Sequence, residues 1–290
     1  MNPLKEELEQ NGFCHIPNAF SQLEIRRLVE ATQKTLDNPD FEYDFLKINK
    51  DQHIHKIRYM FEKDPIFTET LVHESILSIL TRLISPKSSI VPTWEDMLIK
   101  VPFKGIPVTV HQDLALQSIG SDVFSVGIYL HDSLLNPVYY LPESHKKGAL
   151  TRTEIYQIYK DDKDKFVSVK ARAGDIVVHN VKTVHFSGEN TSPDPRYTWY
   201  LEFRTIEQLL KDSPWDRTWI TQRRAIWAFA LKKYRVTQKK KNASYDDIDE
   251  LVPDYEALKP YMNPLALRIS HTNETIQYDM KSPYNHFSDE

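Results

Sequence analysis

The sequence predicts a mainly β fold with flanking α-helices, built around a double-stranded β-helix (jelly-roll) core. Three observations lead there. Between about residues 89 and 204 the chain falls into short β-branched and aromatic runs, broken by Pro102, Gly105, Pro107, Pro137, Pro142, Gly174 and Pro195, which is the texture of an all-β sandwich or barrel. On both sides of that stretch the apolar residues change to the three-and-four spacing of amphipathic helices. Finally, the chain holds only 7 glycines, none in a phosphate-cradling loop, so nucleotide-binding α/β folds lack their signature.

At 290 residues, 40% hydrophobic and 27% charged, the chain can bury a substantial core without staples. The expectation is one domain over 1–290: a helical N-terminal part at about 1–88, the jelly-roll core at about 89–204 and a helical C-terminal extension at about 205–290. A net charge of -4 argues against a general nucleic-acid or anionic-membrane binder, and Lys239, Lys240 and Lys241 read as a solvated face. Cys14 is the single cysteine, which excludes a disulfide framework and a thiolate metal site. Met1 to Gln10 has no signal-peptide core and no segment approaches a membrane span, so the expected location is the cytoplasm and the expected partner a small molecule.

Leu4 to Gln10 is predicted helical, ended by Asn11-Gly12, and Phe13 to Ile16 follows as a strand. Ser21 and Glu24 form a capping box for a helix that carries Leu23, Ile25, Leu28, Val29, Ala31 and Thr32 to about Leu36. Thr68 to Leu83 reads as a single amphipathic helix with Val72, Ile76, Ile79, Leu80 and Leu83 on one face, ended by Pro86. The strands of the core are Met97 to Val101, Val108 to His111, Phe124 to Leu130, Val138 to Leu141, Asp175 to His179 and Tyr197 to Phe203. Beyond them Ser213, Pro214 and Asp216 start another helix, whose stripe is Trp219, Ile220, Ile226, Trp227 and Ala230; Trp215, Trp219 and Trp227 read as packing residues. The tail beyond Asn242 is polar and without period.

His111 and Asp113 lie two apart at the end of a predicted strand, so their side chains share a face and can grip one metal ion. A lone His-x-Asp is weak, because strand histidines are more often hydrogen-bonded structural residues. Its setting strengthens it: a second histidine follows a later strand, and a cation lies 11 positions beyond that histidine. Asp113 also sits in a segment with few charges, Val108 to Gln117, where a buried carboxylate needs a positive neighbour. Two imidazoles and one carboxylate leave about three of six octahedral positions open, as in non-haem Fe(II) oxygenases. Both His179 and His185 can supply the second imidazole. His185 is preferred because it opens the loop His185 to Asn190, whereas His179 ends an apolar strand and reads as a core or supporting residue.

Arg196 should share a face with Thr198, Tyr200 and Glu202. In a barrel interior its guanidinium needs an anion and suits a carboxylate in two-point geometry; an ion pair with Glu202 or Asp194 is the alternative, and Arg196 alone does not choose. His53 and His55, with Glu62 after them, form a rival metal pair of cupin type. No apolar strand surrounds them, so they are expected in an exposed or substrate-facing loop.

Over roughly its first 205 residues the chain resembles the phytanoyl-CoA dioxygenase family, a branch of the Fe(II)/2-oxoglutarate oxygenases. The resemblance rests on the Glu9 to Pro17 opening, on His111-Gln112-Asp113, on Leu141 to Gly148, on Gly174 to His179, and on His185 to Ser192 followed by Arg196. It implies that His111, Asp113 and His185 hold iron, that Arg196 with Ser187 binds the distal carboxylate of 2-oxoglutarate, and that dioxygen is the oxidant. Three departures stand out. Asn136-Pro137 replaces the family's Asn-Gly, Glu143 replaces a glycine, and Phe124 to Leu130 lacks a common tryptophan, whose co-substrate role Tyr129 takes in part. The implied reaction is hydroxylation of an unactivated C–H bond of a small, specialised (natural-product) metabolite, with release of succinate and carbon dioxide. Asp113 disfavours halogenation, since related halogenases have a small residue there. The alternatives are desaturation or ring formation at the same centre, or a non-enzymatic or differently metallated cupin-like ligand-binding barrel.

Overall fold

Two antiparallel sheets face each other in the computed structural model, which describes residues 3–48, 53–84, 90–113, 122–212 and 217–242. Helix α1 (Pro3–Asn11) leads into β1 (Phe13–Ile16), and α2 (Gln22–Leu36) begins at the Ser21–Glu24 capping box, both halves of which are formed. Gly12 joins the first pair at φ +87°, and an added Cβ there would meet His145 Nδ1 at 2.5 Å and Thr183 Oγ1 at 2.6 Å. Only glycine fits that turn.

Two strands in the N-terminal part were not expected. β2 (Phe45–Ile48) pairs with β3 (His53–Ile57), which in turn pairs with β5 (Met97–Lys100). His53 and His55 therefore lie on a strand, not in an exposed loop, and His55 is 3% exposed. The pairing steps from Leu46↔Lys56 to Lys47↔Ile54, leaving His55 as the extra residue of a β-bulge. A bulge breaks the two-residue alternation, which is why the segment does not read as a strand.

The single helix expected over Thr68 to Leu83 is two. α3 (Pro65–Thr70) starts at Asp64, whose carboxylate caps Ile66 N at 2.9 Å; α4 (Glu74–Leu83) starts at His73, whose ring accepts from Ser75 N at 3.2 Å. Both bury apolar residues in the same core, so the helical spacing continues across the break and hides it. Pro86, the Ser213–Asp216 capping box with Trp215, and the tail beyond Asn242 lie outside the described residues.

The remaining strands are β4 (Ile90–Trp94), β6 (Val108–His111), β7 (Phe124–Tyr129), β8 (Val138–Tyr140), β9 (Val167–Val169), β10 (Ile176–Asn180), β11 (His185–Ser187) and β12 (Arg196–Thr205). The large sheet runs β1-β10-β7-β12-β5-β3-β2, with β4 also beside β12, and the small sheet runs β6-β11-β8-β9. This is the predicted jelly roll. A helix absent from the sequence expectation, α5 (Arg152–Asp161), begins at a Thr151–Glu154 capping box and sets Ile155 against Leu141 and Val184 behind the small sheet. α6 (Ile206–Asp212) and α7 (Arg217–Asn242), whose last turns include Lys239 to Lys241, complete the described chain.

Alternation on β12 places the functional face. Trp199, Leu201 and Phe203 join the main core with Phe67, Ile76 and Ile79 of the helices and with Trp227 of α7. Phe61 and Phe67 meet the Trp199 ring edge-on at 6.2 and 5.2 Å, a favoured aromatic arrangement. The opposite face, with Arg196, Thr198, Tyr200 and Glu202, therefore looks between the sheets.

Candidate metal centre and co-substrate pocket

β6 and β11 are neighbours in the small sheet, and their register sets His185 directly opposite His111. His185 thus opens a short strand rather than the expected loop, and the two rings lie 4.2 Å apart between centroids. His111 Nδ1 lies 2.7 Å from Thr109 O, and His185 Nδ1 lies 2.9 Å from Thr183 O. A carbonyl only accepts, so each Nδ1 carries the proton and each Nε2 keeps its lone pair for a ligand. Asp113 Oδ1 stands 3.3 Å from His111 Nε2 and 3.8 Å from His185 Nε2. Ligand atoms of all three lie within 4.8 Å of one another, which fits one ion held from one side.

Asp113 has a second partner. Its Oδ2 accepts a hydrogen bond from His179 Nε2 at 2.8 Å, and His179 Nδ1 lies 3.4 Å from the Tyr140 hydroxyl. The structure thus separates the two histidines between which the spacing could not choose: His185 faces His111, whereas His179 is buried behind the carboxylate. Burial opposes ionisation of Asp113, but the neighbouring imidazoles, His185 first and then His111 and His179, outweigh it and hold its carboxyl well below the usual range. Burial, followed by the neighbouring His111 ring, pushes His185 well below its ordinary value against the pull of Asp113. A neutral imidazole beside an ionised carboxylate is what divalent metal binding requires.

Gln112, between the two, points the other way. Its Nε2 donates to Gly148 O at 2.9 Å and to Lys182 O, and its Oε1 accepts from Leu150 N at 2.9 Å. It ties the end of β6 to two neighbouring loops, a role that the motif alone did not disclose.

Arg196 is 0% exposed, and its Nη1 donates to Asn136 O at 2.6 Å. Its Nε and Nη2 have no hydrogen-bond partner among the described residues. Neither ion pair allowed by the sequence forms: Glu202 is held by Arg204 and, at 3.0 Å, by Thr93 Oγ1, and Asp194 is exposed. Leaving two guanidinium N–H groups unsatisfied in a dry interior is costly without an anion. Thr198, 0% exposed, sits opposite Tyr129, 0% exposed, on β7, and Tyr200 feels both Arg196 and Asp113. Burial, then Tyr200, keeps the Tyr129 hydroxyl protonated. Ser187 is buried two positions beyond His185 on β11.

The rival pair is not part of this cluster. Burial first, then the charges of Lys56, Lys100 and Arg196, push His55 down to about 3. Glu62 lies on a short 3-10 turn between β3 and α3, and among the described residues the group that can hold a metal is His111, Asp113 and His185. Sequence reasoning also missed Lys100, 0% exposed and directly opposite Arg196.

Residues 8–198 match the family model described as phytanoyl-CoA dioxygenase. The chain belongs to the phytanoyl-CoA dioxygenase family. As a member it is a 2-oxoglutarate-dependent dioxygenase, with Fe(II), 2-oxoglutarate and dioxygen as metal, co-substrate and oxidant. Among solved structures, EctD from S. alaskensis is 16% identical at TM-score 0.62, with 72% of this chain and 78% of that one covered. SnoK, a carbocyclase from nogalamycin biosynthesis, is 22% identical at TM-score 0.57, covering 70% and 83%. The epimerase SnoN of the same biosynthesis is 18% identical at TM-score 0.57, covering 70% and 82%. Such identities speak for a common fold. A search of curated proteins finds no match. No helix among the described residues is long and apolar enough to cross a membrane.

Proposed function

We propose that this dioxygenase hydroxylates an unactivated C–H bond of a small molecule, a specialised natural-product metabolite, with release of succinate and carbon dioxide. His111, Asp113 and His185 hold the iron, Arg196 and Ser187 hold the distal carboxylate of 2-oxoglutarate, and Tyr129 walls the co-substrate. The observation that carries this assignment is the buried Arg196, with two N–H groups unused, on the face of the large sheet that looks toward the histidine and carboxylate cluster.

When bound, iron supplies the oxidative chemistry that couples decarboxylation of the 2-oxo acid to insertion of one oxygen atom into a C–H bond. The chain binds, orients and excludes water. Arg196 presents its free Nε and Nη2 to a carboxylate in a two-point contact, which fixes the length and direction of the co-substrate. His111 and His185 keep their protons on Nδ1 through Thr109 and Thr183, so neither ring has to lose a proton as the ion binds. His179 occupies Asp113 Oδ2 and turns Oδ1 to the histidines. The Tyr129, Tyr140 and Tyr200 phenols, all raised first by burial, stay protonated and line a water-poor wall.

The choice of a specialised metabolite is supported by two solved structures of similar fold, SnoK and SnoN, both from nogalamycin biosynthesis. They are a carbocyclase and an epimerase, so ring formation or desaturation at the same centre is the second reading. Product mass separates the outcomes: hydroxylation adds one oxygen, and ring closure or desaturation removes two hydrogens. Anaerobic addition of Fe(II) and 2-oxoglutarate to the purified protein should give a weak visible charge-transfer band that His111→Ala abolishes. Well-folded protein without that band, or metal content unchanged in His111→Ala, would overturn the assignment in favour of a differently metallated binding barrel. Succinate release across a panel of small molecules then identifies the substrate.

A further inference from the structure

The co-substrate face contains a second cation. Lys100 ends β5, and the register with β12 sets it directly opposite Arg196. Both residues are 0% exposed. Side chains directly opposite on neighbouring strands sit about 5 Å apart at Cβ, and like charges placed so are destabilising. Two buried cations in that relation make sense together only if an anion joins them.

Nothing described in the protein provides that anion. Lys100 Nζ donates to the Gly188 carbonyl, a neutral partner, and the acid whose charge reaches it is Glu189, which is exposed. Around the pair, Lys56 is bound to Asp96 at 3.1 Å, Glu202 is bound to Arg204, and Asp113 is bound by histidines. Burial, followed by the charge of Arg196, holds the Lys100 ammonium well below its ordinary value, the expected state of a cation that lacks its counter-ion. Gly188 follows Ser187 by one residue, so the lysine also reaches the loop that leaves the metal centre.

We propose that Lys100 is a second anchor for the distal carboxylate of the 2-oxo acid, binding it jointly with Arg196 and making the pocket selective for a dicarboxylate. The inference rests on the co-substrate reading given above for Arg196. A carboxylate offers about four lone-pair sites; Arg196 meets two of them through one N–H each from Nε and Nη2, and the Lys100 ammonium adds one or two more from the neighbouring strand.

The test is calorimetric titration of 2-oxoglutarate into protein loaded with Mn(II), which fills the metal site without turnover. Wild type is compared with Lys100→Met and Lys100→Gln, and the melting temperature and Mn(II) affinity of each protein are recorded without co-substrate. Gln keeps an N–H for the Gly188 carbonyl but carries no charge, so it separates an anchor from a structural tether. Both variants should bind 2-oxoglutarate about tenfold or more weakly, the loss expected for one charge-assisted hydrogen bond, with melting temperature and Mn(II) affinity unchanged or improved. Less than a tenfold loss in Lys100→Gln overturns the proposal, as does a weakening accompanied by lower stability or lower Mn(II) affinity. Wild-type protein that fails to bind 2-oxoglutarate overturns the co-substrate reading itself.

Discussion

Asp113 is shared between a metal position and a histidine. One oxygen faces His111 and His185, and the other is fixed by His179 at 2.8 Å. A ligand oriented this way binds an ion without first giving up rotamer freedom. His179→Phe should therefore keep the fold, since the buried ring already lies against the Tyr140 and Tyr200 rings, yet lower Fe(II) or Mn(II) affinity about 10–100-fold. Metal titration followed by equilibrium dialysis checks it, and unchanged affinity would assign His179 to packing alone. His111, Asp113, His185 and Arg196 were legible in the sequence because strand periodicity, a shortage of nearby charge and family spacing all pointed to them. Lys100 was not, because a lysine near the end of an apolar run such as Met97 to Val101 reads as the point where a strand meets solvent. Only the register with β12 shows that it turns inward beside Arg196. Glu143 is a similar case: it occupies a family glycine position and takes the left-handed conformation a glycine would, φ +63°, so the departure changes the residue but not the turn.

Among the elements, β1 and α7 depend on buried polar contacts that helical or strand period does not reveal. β1 is tied to β10 through Asp175, whose carboxylate accepts from Asn18 N at 2.9 Å, from Arg172 N at 2.8 Å and from the His15 ring at 2.8 Å. Burial works against ionisation here, but those hydrogen bonds prevail, so the folded carboxyl titrates below its ordinary range. A depressed folded pKa means that the stabilisation is complete above the unfolded value, about 3.9, and is lost as the pH falls through the folded value. Asp175→Asn should lower the melting temperature near neutral pH and flatten its decline below about pH 4; equal acid slopes in scanning calorimetry would contradict this. α7 is held by Arg223, which pairs with the buried Glu95 and lies 4.9 Å from the Trp219 ring and 5.4 Å from the Phe61 ring. Glu95 also accepts from Phe61 N at 2.7 Å, and burial raises its carboxyl. Arg223→Leu leaves that carboxylate without its cation, at a cost of about 3–5 kcal/mol. Adding Glu95→Gln should recover much of it, as chemical denaturation of both variants would show. The amphipathic stripe of α7 was legible. Its anchor was not, since an arginine on a helix usually faces water.

At the scale of the molecule, one sheet serves two purposes, and β12 makes this plain. Its alternate residues feed the helical core through Trp199, Leu201 and Phe203 and the buried face between the sheets through Arg196 and Thr198. Polar and apolar residues alternate along it, the period-2 pattern of a half-buried strand, so the strand and its two faces were legible, whereas the burial of its polar face shows only once the second sheet is in place. The family match stops at residue 198, within this strand. β12 nevertheless continues to Thr205, pairs there with β4, and is covered by Trp227 against Phe203, rings 5.9 Å apart. The helices after 205 therefore pack against the far half of the strand whose near half carries Arg196. Trp227→Ala should cost about 3–5 kcal/mol, because the ring is 4% exposed and its core neighbours cannot all close the gap. A chain ended after Asp212 would uncover Phe203 and the apolar faces of β4 and α3 together, and should aggregate or lose its cooperative melting transition. If instead it melted cooperatively and bound 2-oxoglutarate with unchanged affinity, α7 would be dispensable and the jelly roll alone would set the geometry of Arg196.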